Sequence, residues 1–282
     1  MIVSPFTPLF FIQGKRDGIA SEYMQTFAPT DRILLQIFDA KSDIPSVEIR
    51  DARSGEWLSD INLNQWRVND KVWLNFSEIS LNTGEYKVVI PGLINGTSQP
   101  FRVIDDADEL ANTTLIQYSM KNNKQRTDAA FFIDNMQYFF DFRVHGGFKD
   151  SNWSFGVESE QFVNQQSDII QLFNLESTQK KFTLGSSQGV PIWFGEMLNR
   201  ILVCSHVYFD GVKYSRKESG VPEVSAVQDG VNSFVFSQNL QQSVNLDPVI
   251  EELNHAIMRR VDTTYYRLAN DSNNRTIQEI WQ

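Results

Sequence analysis

The chain has 282 residues, 41% of them hydrophobic and 21% charged, which places it among folded proteins and outside the disordered class. Its formal net charge of −10 excludes a general binder of nucleic acid or of anionic membranes, because no surplus of Lys and Arg exists to displace counterions. The one cysteine, Cys204, allows no internal disulfide and fits folding in a reducing cytosol.

The chain opens on an apolar patch, MIVSPFTPLFFIQG, broken by Pro5 and Pro8 and with no basic residue ahead of it, so no signal peptide is predicted. No apolar run approaches the ~20 residues that span a bilayer. Five short alternating or β-branched segments then predict strands: Asp31–Phe38, Ser46–Asp51, Lys71–Phe76, Glu85–Ile90 and Pro100–Asp105. In LNTGEYKVVI, Tyr86, Val88 and Ile90 share one face, and Tyr86 has the spacing of a tyrosine corner. Residues 1–105 are therefore expected to form an immunoglobulin-like β-sandwich. IDDADELANTT, rich in acids, lacks the spacing and glycine of an EF-hand and reads as a solvated linker.

Residues 106–245 are expected to form a β-rich, hairpin-rich α+β domain. Two aromatic runs flank Asp134-Asn135, and VYFDGVKYSRK carries Asp210-Gly211, a type I′ turn signal. Between them, GGFKDSNWSFGVESEQF reads as an aromatic loop, DIIQLFNLEST as a short helix or strand, and KKFTLG as a strand. LGSSQGVPIWFGEMLNRIL (184–202) follows, with one packed helix expected near 191–204. It has neither the Gly-Lys-Ser/Thr end of a P-loop nor a dinucleotide spacing. Its glycines and Pro191 instead predict a turn into an apolar helix, with Glu196 and Arg200 paired at i,i+4 and Gly195 marking a close backbone contact. Ser233–Gln241 reads as the last strand. Residues 246–282 predict an amphipathic helix, Leu246–Val261, followed by an extended C-terminal arm.

No residue set names a reaction. His145, His206 and His255 fall in unlike segments, and no nucleophile elbow or metal-ligand spacing accompanies them, so no catalytic, cofactor or metal residue is assigned. Carboxylate pairs such as Glu158 with Glu160, or Asp134 with Asp141, are what a hydrolase would need, but any acidic β-protein offers them. Trp153, Phe155 and Trp193 are the candidate platforms for a sugar ring.

The runs QRTDAAFFIDNMQYFFDFRVHGGFKD, ESTQKKFTLGSSQGVPIWFGEMLNRILVCSHVYFDGVKYSRKES and VNLDPVIEELNHAIMRRVD resemble tail-associated structural proteins of tailed phages and prophages of gut bacteria. The likeness spans roughly 113–262. It implies a β-rich, non-enzymatic virion protein of the distal-tail or baseplate kind. Such a protein forms a ring with copies of itself and contacts other tail proteins, with no cofactor, nucleic acid or membrane. Trp193, Phe194, Tyr265, Tyr266 and Trp281 are the expected subunit-interface residues. The competing reading is a carbohydrate-binding or host-adhesion module, and a carboxylate-based hydrolase ranks third.

Overall fold

The computed structural model describes residues 1–11, 19–41, 44, 46–134, 136–163, 165, 167, 169–216 and 222–242. The predicted helix Leu246–Val261 and the arm after it lie outside the described residues. The protein is mainly β: of the described residues, 51% are in strands and 7% in helix.

Among the described residues nine strands precede the first helix: β1 (Ile2–Val3), β2 (Gln25–Phe27), β3 (Ile33–Asp39), β4 (Val47–Asp51), β5 (Trp57–Ile61), β6 (Asn64–Arg67), β7 (Trp73–Ile79), β8 (Gly84–Val89) and β9 (Phe101–Val103). They form two sheets, in the orders β1-β3-β7-β6 and β2-β9-β8-β4-β5. One apolar cluster joins them, with Ile33, Leu35 and Ile37 from the first sheet meeting Val47, Val88 and Phe101 from the second. The Tyr86 hydroxyl donates to the Asn82 carbonyl at 3.0 Å, the backbone tie expected of a tyrosine corner.

DRILLQIF forms a strand as expected, and its near-continuous apolar run has a physical cause. β3 is buried on both faces. Leu34, on the face opposite Leu35, joins a second cluster with Leu74 and Phe76, and Phe6 and Phe10 of the N-terminal segment belong to it too. The opening apolar patch therefore packs inside the protein, with Leu9 in the first cluster and Phe6 and Phe10 in the second.

The acidic stretch expected to be a linker holds α1 (Ala107–Leu110). The Asp106 carboxylate accepts from the Asp108 and Glu109 amides, each at 2.9 Å, and Glu109 pairs with Arg102. Capping and this ion pair thus engage two of the acids in the stretch, Asp106 and Glu109.

The second cluster is lined by β10 (Thr113–Ser119), β13 (Phe140–Val163), β14 (Ile169–Leu184), β15 (His206–Phe209), β16 (Val212–Arg216) and β18 (Phe234–Gln242), with β11 (Phe132–Ile133), β12 (Met136–Gln137) and β17 (Glu223–Ala226) as short companions. Pairing runs β14-β13-β10-β15-β16-β18, and β18 pairs back to β14, so these strands close into an antiparallel barrel. Closure removes sheet edges there. Inward positions carry Tyr118, Phe140, Phe142, Phe182, Phe209 and Phe236, all buried. The Asp210-Gly211 turn joins β15 to β16 with φ of 48° and 80°, as its sequence predicts.

The segment expected as loop, then helix or strand, then strand is two long strands. β13 and β14 pair from Gly146↔Leu184 out to Val163↔Ile169, interrupted by a bulge between Phe148 and Trp153. Backbone ladder bonds hold this hairpin together whatever its side chains, which is why Gly, Asp, Asn and Ser within it mislead a reading by turn propensity.

Candidate functional site

The 184–202 stretch is a structural joint. Gly185 and Gly189 take φ of 99° and 68°, and a Cβ on Gly189 would lie 2.5 Å from the Ser233 hydroxyl. The helix after it, α2 (Ile192–Ile201), buries Phe194, Met197, Leu198 and Ile201. A Cβ on Gly195 would stand 2.3 Å from the Phe236 ring, so this glycine marks the close contact expected of it. Arg200 does not serve the predicted pair with Glu196. It donates to the Pro5 carbonyl at 2.9 Å, tying the helix to the N-terminal segment.

Of the expected interface residues, Phe194 is 2% exposed and packs on Phe10 at 4.6 Å and Tyr23 at 5.0 Å. That removes it from the interface set, because its ring is used up inside the chain. Trp193 is half-buried, 6.5 Å from Phe10. Tyr265, Tyr266 and Trp281 lie outside the described residues.

Among the described residues the hydrolase candidates fall at separate places in the fold, and the Glu158 side chain lies outside them. Cys204 is held near a backbone carbonyl, and burial pushes its thiol up to about 12, so it is not a thiolate at neutral pH. The Tyr23 hydroxyl and His145 Nδ1 are hydrogen-bonded at 3.1 Å, and burial lowers the His145 pKa. Asp134 is exposed in the β11–β12 turn, whereas Asp141 is 4% exposed on β13. Glu160 is exposed on the outer hairpin.

Two surface features stand out instead. The first is the outer part of the β13–β14 hairpin. β10 pairs with β13 over Phe140–His145 and β18 pairs with β14 over Thr178–Leu184, and among the described residues neither outer edge has a partner strand beyond those points. This arm extends about 30 Å at strand rise. Along β13, Trp153, Phe155 and Val157 share one face and are 42%, 74% and 67% exposed. Val163 and Ile169, a cross-strand pair near the tip, are also exposed. The sequence Trp153–Thr178 holds Glu158, Glu160, Asp168 and Glu176 and no Lys or Arg. The arm's root is clasped by a cation. Lys180 Nζ lies 3.8 Å from the Trp153 ring centroid, 5.7 Å from Tyr214 and 5.9 Å from Phe148.

The second is a groove of about 790 Å³ on the outer face of the barrel. Cross-strand register aligns Tyr208, Gln117 and Asp141 in one row across β15, β10 and β13. Asp141 accepts from Gln117 Nε2 and from the Arg32 amide, each at 2.9 Å, and burial raises its pKa. Phe139 lies beside Tyr208 with ring centroids 6.1 Å apart, and Thr30, Arg32 and Glu78 form the facing wall. Beside the groove, burial together with Lys213 and Lys121 holds His206 below its ordinary pKa.

The sequence points to Trp153 and Phe155 as sugar platforms and to Asp141 as one of a pair with Asp134, and not to the groove. The row depends on strand register, which is not written in any local motif. No protein-family model, curated protein or solved structure matches the chain.

Proposed function

We propose that the chain is a non-enzymatic virion structural protein of a tailed phage, assembling with copies of itself into a ring or hub in the tail or baseplate. The sequence resemblance supports this reading, and one structural observation carries it: the two-stranded arm with an uncovered apolar face. An isolated hairpin is marginal in water, and three adjacent exposed apolar residues on one strand face act like half of a core. A second copy is the occupant this surface fits. The arm's charged residues between Trp153 and Thr178 are all acidic, while Lys121 and Lys213 place positive charge on the barrel exterior of the same chain. An arm from one copy meeting the barrel of the next makes a head-to-tail contact, the type that closes into a ring by rotation. The open edges add backbone donors and acceptors for strand addition.

Analytical ultracentrifugation and electron microscopy of the full chain test the proposal. Rings of fixed symmetry are expected. The double variant Phe155→Ser, Val157→Ser is expected to shift the population to monomers that keep the wild-type circular dichroism spectrum. A wild-type chain that stays monomeric at every concentration overturns the reading.

A further inference from the structure

We infer that the groove over the Tyr208–Gln117–Asp141 row is a binding site for a neutral saccharide, a site independent of the ring proposal. The chemistry of its walls selects the ligand. Tyr208 and Phe139 present half-buried rings, tilted 59° to one another, that suit the C–H face of a pyranose. Next to Tyr208 in the same cross-strand row stands Gln117, whose Nε2 is committed to Asp141, leaving its amide oxygen to accept from a hydroxyl. Asp141 takes one donor on each carboxylate oxygen, and a carboxylate has acceptor sites for about four. Platform, amide and carboxylate therefore follow one another across adjacent strands at the spacing of a sheet, about 5 Å. The volume lies within the ~300–1,000 Å³ range of small-molecule sites.

Other ligand classes fit poorly. An anion would find one lining cation, Arg32, against the carboxylates of Asp31, Asp141 and Glu78, of which, among the described residues, only Asp31 has an ion-pair partner, Arg143 at 2.6 Å. A metal ion lacks a cluster: among the described residues no group of three or more His, Cys, Asp or Glu is placed to hold one. A peptide joining by strand addition needs an open edge, and the floor strands β13, β10 and β15 are paired with one another and with β14 and β16. A purely apolar ligand would seal a buried carboxylate away from water without replacing its hydrogen bonds. A ring with apolar faces and hydroxyl edges satisfies all of these walls.

The test is an array of neutral hexose and N-acetylhexosamine oligosaccharides, with sialylated and sulfated glycans as comparators, followed by calorimetric titration of the retained glycan into the full chain. Neutral glycans are expected to be retained. Tyr208→Ala should weaken binding about tenfold, while Tyr208→Phe, which keeps the ring, stays near wild type. Gln117→Leu gives a second reading of the same row, with a loss of affinity expected. Trp57→Ala, an exposed ring on β5, should leave binding unchanged. Absence of any retained neutral glycan, preference for the anionic set, or wild-type binding by both Tyr208→Ala and Gln117→Leu overturns the site. If instead Tyr208→Ala dissolves the oligomer and no glycan binds, the groove seats a neighbour's arm and the saccharide proposal fails while the ring reading stands. If the wild type is monomeric and still binds glycan, the ring reading falls and the saccharide site stands.

Discussion

β13 passes through two environments in one continuous strand. Over Phe140–Val144 its inward residues Phe140, Phe142 and Val144 are fully buried, and its outward residues Asp141 and Arg143 meet the chain before β3 through Arg32 and Asp31. Beyond the bulge the same alternation continues with Trp153, Phe155 and Val157, and these are exposed. The two halves have like chemistry and opposite burial. Period-2 patterning thus specifies a strand and a face, but not what covers that face.

The sharpest way to separate the halves is to make the same deletion in each. Phe142→Ala removes a ring packed against Phe10 and Phe194 and should cost about 3–5 kcal/mol, measured by urea denaturation. Phe155→Ala removes an exposed ring and, at a concentration where the chain is monomeric, should stay within about 0.5 kcal/mol of wild type. A large loss from Phe155→Ala would mean that the arm is part of the monomer's own core, and the contrast between the halves would vanish.

A smaller effect is expected at the joint that packs α2 onto the barrel. Gly195→Ala improves helix propensity by about 1 kcal/mol, yet its methyl would enter the space of the Phe236 ring. Phe236 is buried between the helix and the strands and has little room to yield, so overpacking should prevail and destabilise by about 1–3 kcal/mol. A stabilised variant would show that the contact is looser than the backbone placement indicates.

Much of the fold is legible in the sequence where local chemistry decides the outcome. Asp210-Gly211 marks its hairpin because both positions need positive φ, and Tyr86 marks its corner because the hydroxyl bonds four residues back. Gly195 is recognisable because a glycine inside an apolar helix needs a packing reason. What stays hidden depends on distant partners. Trp57–Ile61 and Asn64–Arg67 are edge strands with exposed, mixed residues and no clean alternation, and only pairing with β4 and β7 defines them. The arm reads as loop although Trp153, Phe155 and Val157 alternate cleanly, because the Gly, Ser and Asn around them carry strong turn propensity. The groove needs three strands in register and so has no sequence signature at all. Phe194 turns inward for the opposite reason: helix α2 is apolar on most sides, and periodicity cannot tell which side the barrel takes.

The smallest expected effect tests the boundary between the two halves of β13. At the bulge, Lys180 lies over Trp153 and near Tyr214 and Phe148, so an arm residue, a barrel residue and a residue at the root share one cation. Lys180→Met keeps an unbranched stem and removes the charge, which should cost about 1 kcal/mol. That loss falls on the junction rather than on the barrel, whose Phe-rich interior does not involve the ammonium. Hydrogen exchange should therefore quicken at arm amides such as Phe155 and Val157 while those of Phe142 and Val144 keep their protection. Equal acceleration in both segments would mean that arm and barrel open as one unit, and that the bulge at Phe148–Trp153 is not a boundary in the protein's dynamics.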